Sequence, residues 1–268
     1  MTERQAQPGA GETIFFDDFT GGELDHTKWN VVTTGPVSNN EVQAYVDSPE
    51  TVYLIPGEAE GANGALALHP RWRPGFRTPQ GLSFDFISGR INTRDKAQFA
   101  SGHVAARIKL AAGAGLWPAF WMLGAGRWPE CGEIDIMENV GEADWASAAV
   151  HGPGYSGDAG LVNYHYFPPD NDATAWHVYS VDWSPESEML FKIDGELYFR
   201  VTRPMAENFG RWAFDRPMFI LLNFALGGGY PAKINGVQAP YFGLPAETVQ
   251  AIQRGEARML VDWVKVTK

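Results

Sequence analysis

A chain of 268 residues with 44% hydrophobic and only 20% charged side chains can bury a large core, which excludes a disordered chain. Its formal net charge of −11 lacks the basic footprint of a nucleic-acid binder and would repel uronate or sulfated polymers unless a local basic patch opposed the repulsion, so a neutral partner fits best. The single cysteine, Cys131, permits neither an intrachain disulfide nor a four-cysteine metal site.

With 10 Trp, 9 Tyr and 16 Phe beside 30 Gly and 18 Pro, the composition favours strands and turns over helices. No run of about 18 apolar residues is present to span a membrane. The start, Met1 to Gly11, is polar and has no secretory-leader pattern; a removed leader would leave the same start, and an extracellular location is the expectation. The chain is expected to act as a monomer.

Residues 1–12 read as a polar, flexible tail, and residues 13–19 (TIFFDDF) as the first strand of one domain over 13–268. Residues 103–110 place Val104, Ala106, Ile108 and Leu110 on one face and His103, Arg107 and Lys109 on the other, the pattern of a half-buried strand. Residues 177–183 offer another. Residues 189–201 form two strand-like runs around Asp194-Gly195, a dipeptide that accepts the positive φ of a tight hairpin. Residues 218–224 and 260–266 are further strands, while residues 245–255, with an early Pro and Glu, Val249 and Ile252 three apart and a closing Gly, predict one short surface helix. No βαβ alternation appears, so two packed antiparallel sheets are the simplest architecture.

The chemistry concentrates in residues 132–139 (GEIDIMEN), where Glu133, Asp135 and Glu138 are interleaved with apolar residues. Strict alternation holds only for the first two acids; Glu138, five positions after Glu133, would point the opposite way. An extra residue at Met137, accommodated as a β-bulge, restores the phase and puts all three acids on one face. Carboxyl groups about 5–5.5 Å apart suit retaining glycoside hydrolysis, and about 6.5–9.5 Å suits inversion. Three neighbouring carboxylates repel, so at least one is held protonated near neutral pH, as a general acid requires. The competing reading is a solvated acidic face or a calcium-binding edge, but buried Ile134, Ile136 and Met137 on the opposite side favour catalysis.

That run resembles the active-site signature of glycoside hydrolase family 16, in its laminarinase-like branch, which carries the extra residue. Residues 39–41 (NNE), 88–91 (SGRI), 115–121 (GLWPAFW), 128–129 (WP), 150–155 (VHGPGY) and 259–263 (MLVDW) are similar to that family in matching order, from about Phe15 to the C-terminus. The resemblance implies an all-β jelly-roll sandwich of two curved antiparallel sheets with a cleft on the concave face. It implies Glu133 as nucleophile, Asp135 as its hydrogen-bonded electrostatic partner and Glu138 as general acid/base, with retention of configuration. Its expected substrate is a neutral, laminarin-like β-1,3-glucan or a mixed β-1,3/1,4-glucan, cut internally and without a cofactor.

Around the acids, Trp117 and Trp121 suit either a sugar-stacking platform or core filling, and the resemblance raises both, with Trp128, to cleft residues. Asn40, Arg90 and Asn223 match positions that hydrogen-bond glucose hydroxyls, where turn chemistry and a surface ion pair are the bland alternatives for Asn40 and Arg90. His151 matches a donor to sugar or carboxylate. Asp18, Gly64 and Asp262 match positions that supply oxygens to a structural calcium. Cys131 reads as a small buried hydrophobe, with no base spaced to it. A long insertion over residues 232–258 is expected to shape one end of the cleft. Two alternatives stay open: a non-catalytic glucan-binding lectin-like module, for which both glutamates would be superfluous, and a transglycosylase on the same machinery.

Overall fold

Alternating apolar and polar side chains drive most of the chain into antiparallel strands, whose apolar faces must then cover one another. A computed structural model of the protein describes residues 11–35, 37–59 and 62–268, so most of the tail expected over residues 1–12 lies outside the described residues. The front sheet has seven strands in the spatial order Leu161–Tyr166, Trp145–His151, Glu133–Glu138, Leu116–Gly124, Met218–Leu226, Arg90–Asn92 and Asn30–Val31. The back sheet runs Glu196–Thr202, Glu188–Ile193, Trp176–Ser184, Gly102–Lys109, Met259–Thr267, Ala62–Leu68 and Val52–Ala59, and Thr13–Asp17 pairs onto Met259–Thr267.

Between the sheets lies a single large apolar cluster. Leu116, Phe120, Met122, Ile220, Leu222 and Phe224 from the front sheet join Val104, Ala106, Ile108, Val261, Val264 and Val266 from the back sheet, all fully buried. Removing each of the larger side chains from water contributes roughly 1.5–3 kcal/mol. Because the period is two, the residues between them (Trp117, Ala119, Trp121, Asn223, Ala225) face away from the core and floor the outer face of the front sheet.

The strands expected from the pattern appear as Thr13–Asp17, Gly102–Lys109, Trp176–Ser184, Met218–Leu226 and Met259–Thr267. The hairpin forms as read, pairing Glu188–Ile193 with Glu196–Thr202, with positive φ at both Asp194 (51°) and Gly195 (85°). The predicted helix spans Ala246–Gln253 and buries Val249 and Ile252, and Gly255 follows it at φ 74°. Two shorter helices were not legible: Arg203–Glu207, and Gly229–Asn235 just before that segment. One pairing departs from the antiparallel expectation. Gln43–Tyr45 runs parallel to Ser83–Ser88 because the chain between them travels through two back-sheet strands and returns, and so long a crossover permits a parallel pair. Among the described residues no helix is long and apolar enough to cross a membrane.

The hairpin turn also fixes a charge. His177, 1% exposed, has Nδ1 2.7 Å from Asp194 Oδ2 and Nε2 2.9 Å from the Asp172 carbonyl oxygen, so both ring nitrogens face acceptors. Burial opposes the imidazolium, but the Asp194 and Asp172 hydrogen bonds outweigh it and hold its pKa above the ordinary histidine value. A raised folded-state pKa stabilises fully below the unfolded value of about 6.5 and is lost as pH rises through the folded one. The melting temperature should therefore fall as pH rises from neutral into the mildly alkaline range, and thermal melts of His177→Gln should show a smaller slope over that range.

Candidate active site

Glu133–Glu138 lies between Leu116–Gly124 and Trp145–His151 in the front sheet, so both its backbone edges are paired. Trp121 faces Asp135 while the preceding residue, Phe120, faces Met137, so Ile136 is the additional residue. The same discontinuity separates Asp135, opposite Ala149, from Glu138, opposite Ser147. Ile136 and Met137 together thus fill one ladder position, and both enter the core at 1% and 0% exposure. The expected bulge is present with Ile136, not Met137, as the unpaired residue, and beyond it Glu138 returns to the face that Glu133 and Asp135 share.

On that face the acids are close together. His151 sits opposite Glu133 in register, and its Nε2 lies 3.3 Å from Asp135 Oδ2 and 3.8 Å from Glu133 Oε1. Trp128, 44% exposed, hydrogen-bonds Glu133 and lies 6.3 Å from the His151 ring. Trp117 Nε1 donates to Glu138 Oε1 at 2.9 Å. Burial, then repulsion from Asp135 and Glu138, pushes Glu133 well above the usual carboxylate range, with His151 and Trp128 working the other way. Burial and the charge of Glu138 raise Asp135 likewise, and burial raises Glu138 against the opposing Trp117 hydrogen bond. The trio therefore retains a proton under conditions where isolated carboxyls would have lost theirs.

Beside the acids, Asn223 Oδ1 accepts from Trp121 Nε1 at 2.7 Å and Asn223 Nδ2 donates to the Tyr45 hydroxyl at 3.1 Å. The Arg90 guanidinium lies 5.1 Å from the Trp121 ring centre and 5.8 Å from that of Tyr45. Glu41 accepts from Gln43 Nε2 at 2.7 Å and from the Tyr45 hydroxyl at 3.3 Å, in a small pocket that Arg90 also lines. Asn40, next to Glu41 in the chain, is exposed, and Asn39 and Asn40 both take left-handed backbone, φ 54° and 56°, with the Asn39 carbonyl anchored by the Gly229 N–H. Trp117, Trp121, Trp128, Arg90, His151 and Asn223 thus gather around the acids.

Tyr45, and Tyr230, whose ring centre lies 5.6 Å from that of Trp117, were missed, because nothing local marks residues that reach the site through a parallel crossover and a late helix. Glu41 closes the 39–41 run (NNE), whose resemblance implies a sugar-binding role for Asn40 alone.

The residues named for calcium are placed differently. Asp18, Gly64 and Asp262 lie on or just beyond three adjacent strand segments of the back sheet, where a bulge interrupts the ladder at Asp262. Asp262 Oδ2, however, accepts from Arg107 Nη1 at 2.8 Å, and Asp18 Oδ1 accepts from the Thr20 hydroxyl at 2.8 Å. Gly64 has a packing reason of its own, since a Cβ there would lie 2.8 Å from the Phe19 carbonyl oxygen. A guanidinium already compensating one of only two carboxylates fits a calcium ion poorly. Among the described residues, the one group of three carboxylate or imidazole donors within 4.8 Å of one another is Glu133, Asp135 and His151.

The family profile described as "Glycosyl hydrolases family 16" matches residues 61–251. The chain is 32% identical over 241 residues to the glucan endo-1,3-beta-glucosidase A1 of Niallia circulans, an alignment that covers 81% of this chain and 34% of that protein, so it spans about a third of that relative. It is 31% identical over 269 residues to the beta-glucanase of Rhodothermus marinus, covering 95% of this chain and 84% of that one. The X-ray structure of the endo-beta-1,3-glucanase from Pyrococcus furiosus matches with a TM-score of 0.81 at 33% identity, covering 96% of this chain and 94% of the other.

Two measurements follow from the geometry. Met137→Ala removes a fully buried side chain from the bulge and should cost about 2–5 kcal/mol in urea unfolding, with the midpoint lowered. Melting with and without a chelator should give the same temperature, because Arg107 holds Asp262; a calcium-dependent rise would restore the metal reading.

Proposed function

The chain belongs to the glycosyl hydrolases of family 16, and from that premise we propose that it is an endo-acting, retaining β-1,3-glucanase of laminarin-like polymers that also accepts mixed β-1,3/1,4-glucans. The observation that carries the reading is the bulged strand, which turns Glu133, Asp135 and Glu138 to one face beneath aromatic and amide side chains suited to a neutral sugar chain. We read residues 13–268 as one catalytic domain, acting as a secreted monomer on a polymer outside the cell.

Glu133 is the nucleophile. Its carboxylate attacks the anomeric carbon while Glu138 gives its proton to the departing glycosidic oxygen, leaving a glycosyl ester on Glu133. Glu138, now ionised, takes a proton from water; that water attacks the same carbon, Glu133 leaves, and the two inversions sum to retention. Asp135, 4% exposed, holds a second proton beside the one that Glu138 donates. With both of these acids neutral, the repulsion that raises Glu133 disappears, and Trp128 and His151 favour the charged nucleophile. Arg90, Asn40 and Asn223 offer donors and acceptors to hydroxyls on one side of the scissile bond, and Trp121 and Trp128 offer ring faces. A non-catalytic lectin would gain nothing from three buried, mutually repelling acids, whose net cost makes sense where charge develops in a transition state.

Incubation with laminarin, lichenan and agarose, followed by chromatography, tests the substrate. Oligosaccharides should appear from laminarin and from lichenan; products from agarose alone would overturn the assignment, and products longer than the substrate would mark a transglycosylase. Glu133→Gln should abolish turnover and leave laminarin binding nearly intact. Glu138→Gln should lose more activity on poor than on good leaving groups, by something like the 10²–10⁴-fold that proton transfer supplies.

A further inference from the structure

Trp117 does not sit where a sugar platform would. It is 9% exposed, packed in a cluster with Tyr45, Val140, Trp145 and Ala225, and its N–H points at Glu138 Oε1 from 2.9 Å. Tyr230, from the helix Gly229–Asn235, meets the indole edge-on with ring centres 5.6 Å apart at 75°. The Tyr230 hydroxyl faces those of Tyr164 and Ser147, and Tyr164 is braced edge-on by Trp145 at 5.0 Å. Ser147 stands opposite Glu138 in the ladder, with its Oγ donating to the Glu138 carbonyl at 3.4 Å. The contacts therefore close a ring that leaves Glu138 by its side chain, through Trp117, Tyr230 and Ser147, and returns to its backbone.

We propose that Trp117 and Tyr230 are positioning residues for Glu138, the indole N–H occupying Oε1 so that the catalytic proton rides on Oε2. An indole nitrogen is a donor only, so a protonated Oε1 would confront a second hydrogen. The proton given to the leaving oxygen, and later recovered from water, is confined to the other oxygen in both steps, and the bonds broken and formed at the anomeric carbon are unchanged. Tyr230 acts at one remove: its ring fixes the plane of the indole, and its hydroxyl ties the late helix to the strand that carries Ser147. The inference rests on reading Glu138 as the acid/base. The charged and titratable groups that face Glu138 are Glu133 and Asp135 on its own strand, His151 on the neighbouring one, and the Tyr164 and Tyr230 phenols.

The test is Trp117→Phe, with Tyr230→Leu as an independent second variant and Tyr230→Phe to separate ring from hydroxyl. On laminarin, Trp117→Phe should lower kcat at least about tenfold, within the roughly 10²–10⁴-fold that a general acid supplies, with KM nearly unchanged. On a dinitrophenyl laminari-oligosaccharide, whose leaving group needs no proton, kcat/KM should hold. Donation to a carboxylate favours its charged form, so loss of the indole N–H raises the Glu138 pKa and the alkaline limb of kcat/KM should move to higher pH. Tyr230→Leu should reproduce the laminarin-selective loss, and Tyr230→Phe should fall between it and the parent. A raised KM with kcat intact would return Trp117 to a sugar platform, and equal losses on both substrates with an unmoved pH limb would make it merely structural; either result overturns the inference. Glu138→Gln is run alongside. If it also fails to distinguish the leaving groups, the acid/base role falls and takes this inference with it, whereas failure in the Trp117 and Tyr230 variants alone leaves that role standing.

Discussion

Burying three carboxyl groups on one strand face is the constraint around which the front sheet is organised. Each loses hydration, and none can be fully charged without raising the others, so a proton stays within the trio. The surroundings decide where it sits. Trp117 offers an N–H to Glu138, Trp128 a hydrogen bond to Glu133, and His151 stands between Glu133 and Asp135. These partners come from the two strands that flank the acids and the loop between them, so the sheet that displays the acids also supplies their compensation. Such an arrangement costs stability locally, and the apolar cluster between the sheets offsets it.

The bulge links this electrostatic problem to the core. A regular strand with this sequence would bury Glu138 and expose Met137; doubling Ile136 and Met137 over one ladder position sends both into the core and keeps the third acid outside. An ionised glutamate turned inward would cost several kcal/mol, far more than the one ladder position a bulge gives up. Hydrophobic packing and the display of the three acids on one face therefore select the same backbone irregularity.

Wherever a signal was local, the chain could be read from residue order. Val104, Ala106 and Ile108 alternate and become core; Asp194-Gly195 turns with two positive φ values; Val249 and Ile252 lie three apart and become the inner face of the Ala246–Gln253 helix. The acids and their phase were legible for the same reason, since five residues of spacing state the need for a bulge. What stayed hidden depends on distance along the chain. The parallel pairing of Gln43–Tyr45 with Ser83–Ser88 brings the Tyr45 hydroxyl to Asn223, and Gly229–Asn235 carries Tyr230 to Trp117, contacts between residues 178 and 113 positions apart. Sequence also left open whether Trp117 faced sugar or protein, because an indole beside acids fits a platform and a hydrogen-bond donor equally well. At Gly64 the close approach of the Phe19 carbonyl requires glycine, a contact between distant segments that no local pattern states.

One strand carrying all three acids has a further consequence. Their mutual spacing is set by a backbone paired on both edges, which loops at the rim perturb little. The groups that would meet the sugar chain come instead from separate elements: Asn40 and Glu41 from the segment anchored to Gly229, Arg90 from a short strand, Trp128 from the loop before the acids. With the roles proposed for these residues, chemistry and substrate choice rest on different parts of the fold, and rim segments would change which polymer is held without altering how its bond is broken. Tyr230 is the exception, since it belongs to a rim segment yet reaches the support of Glu138, and there a change that reshapes the cleft would also be felt by the proton.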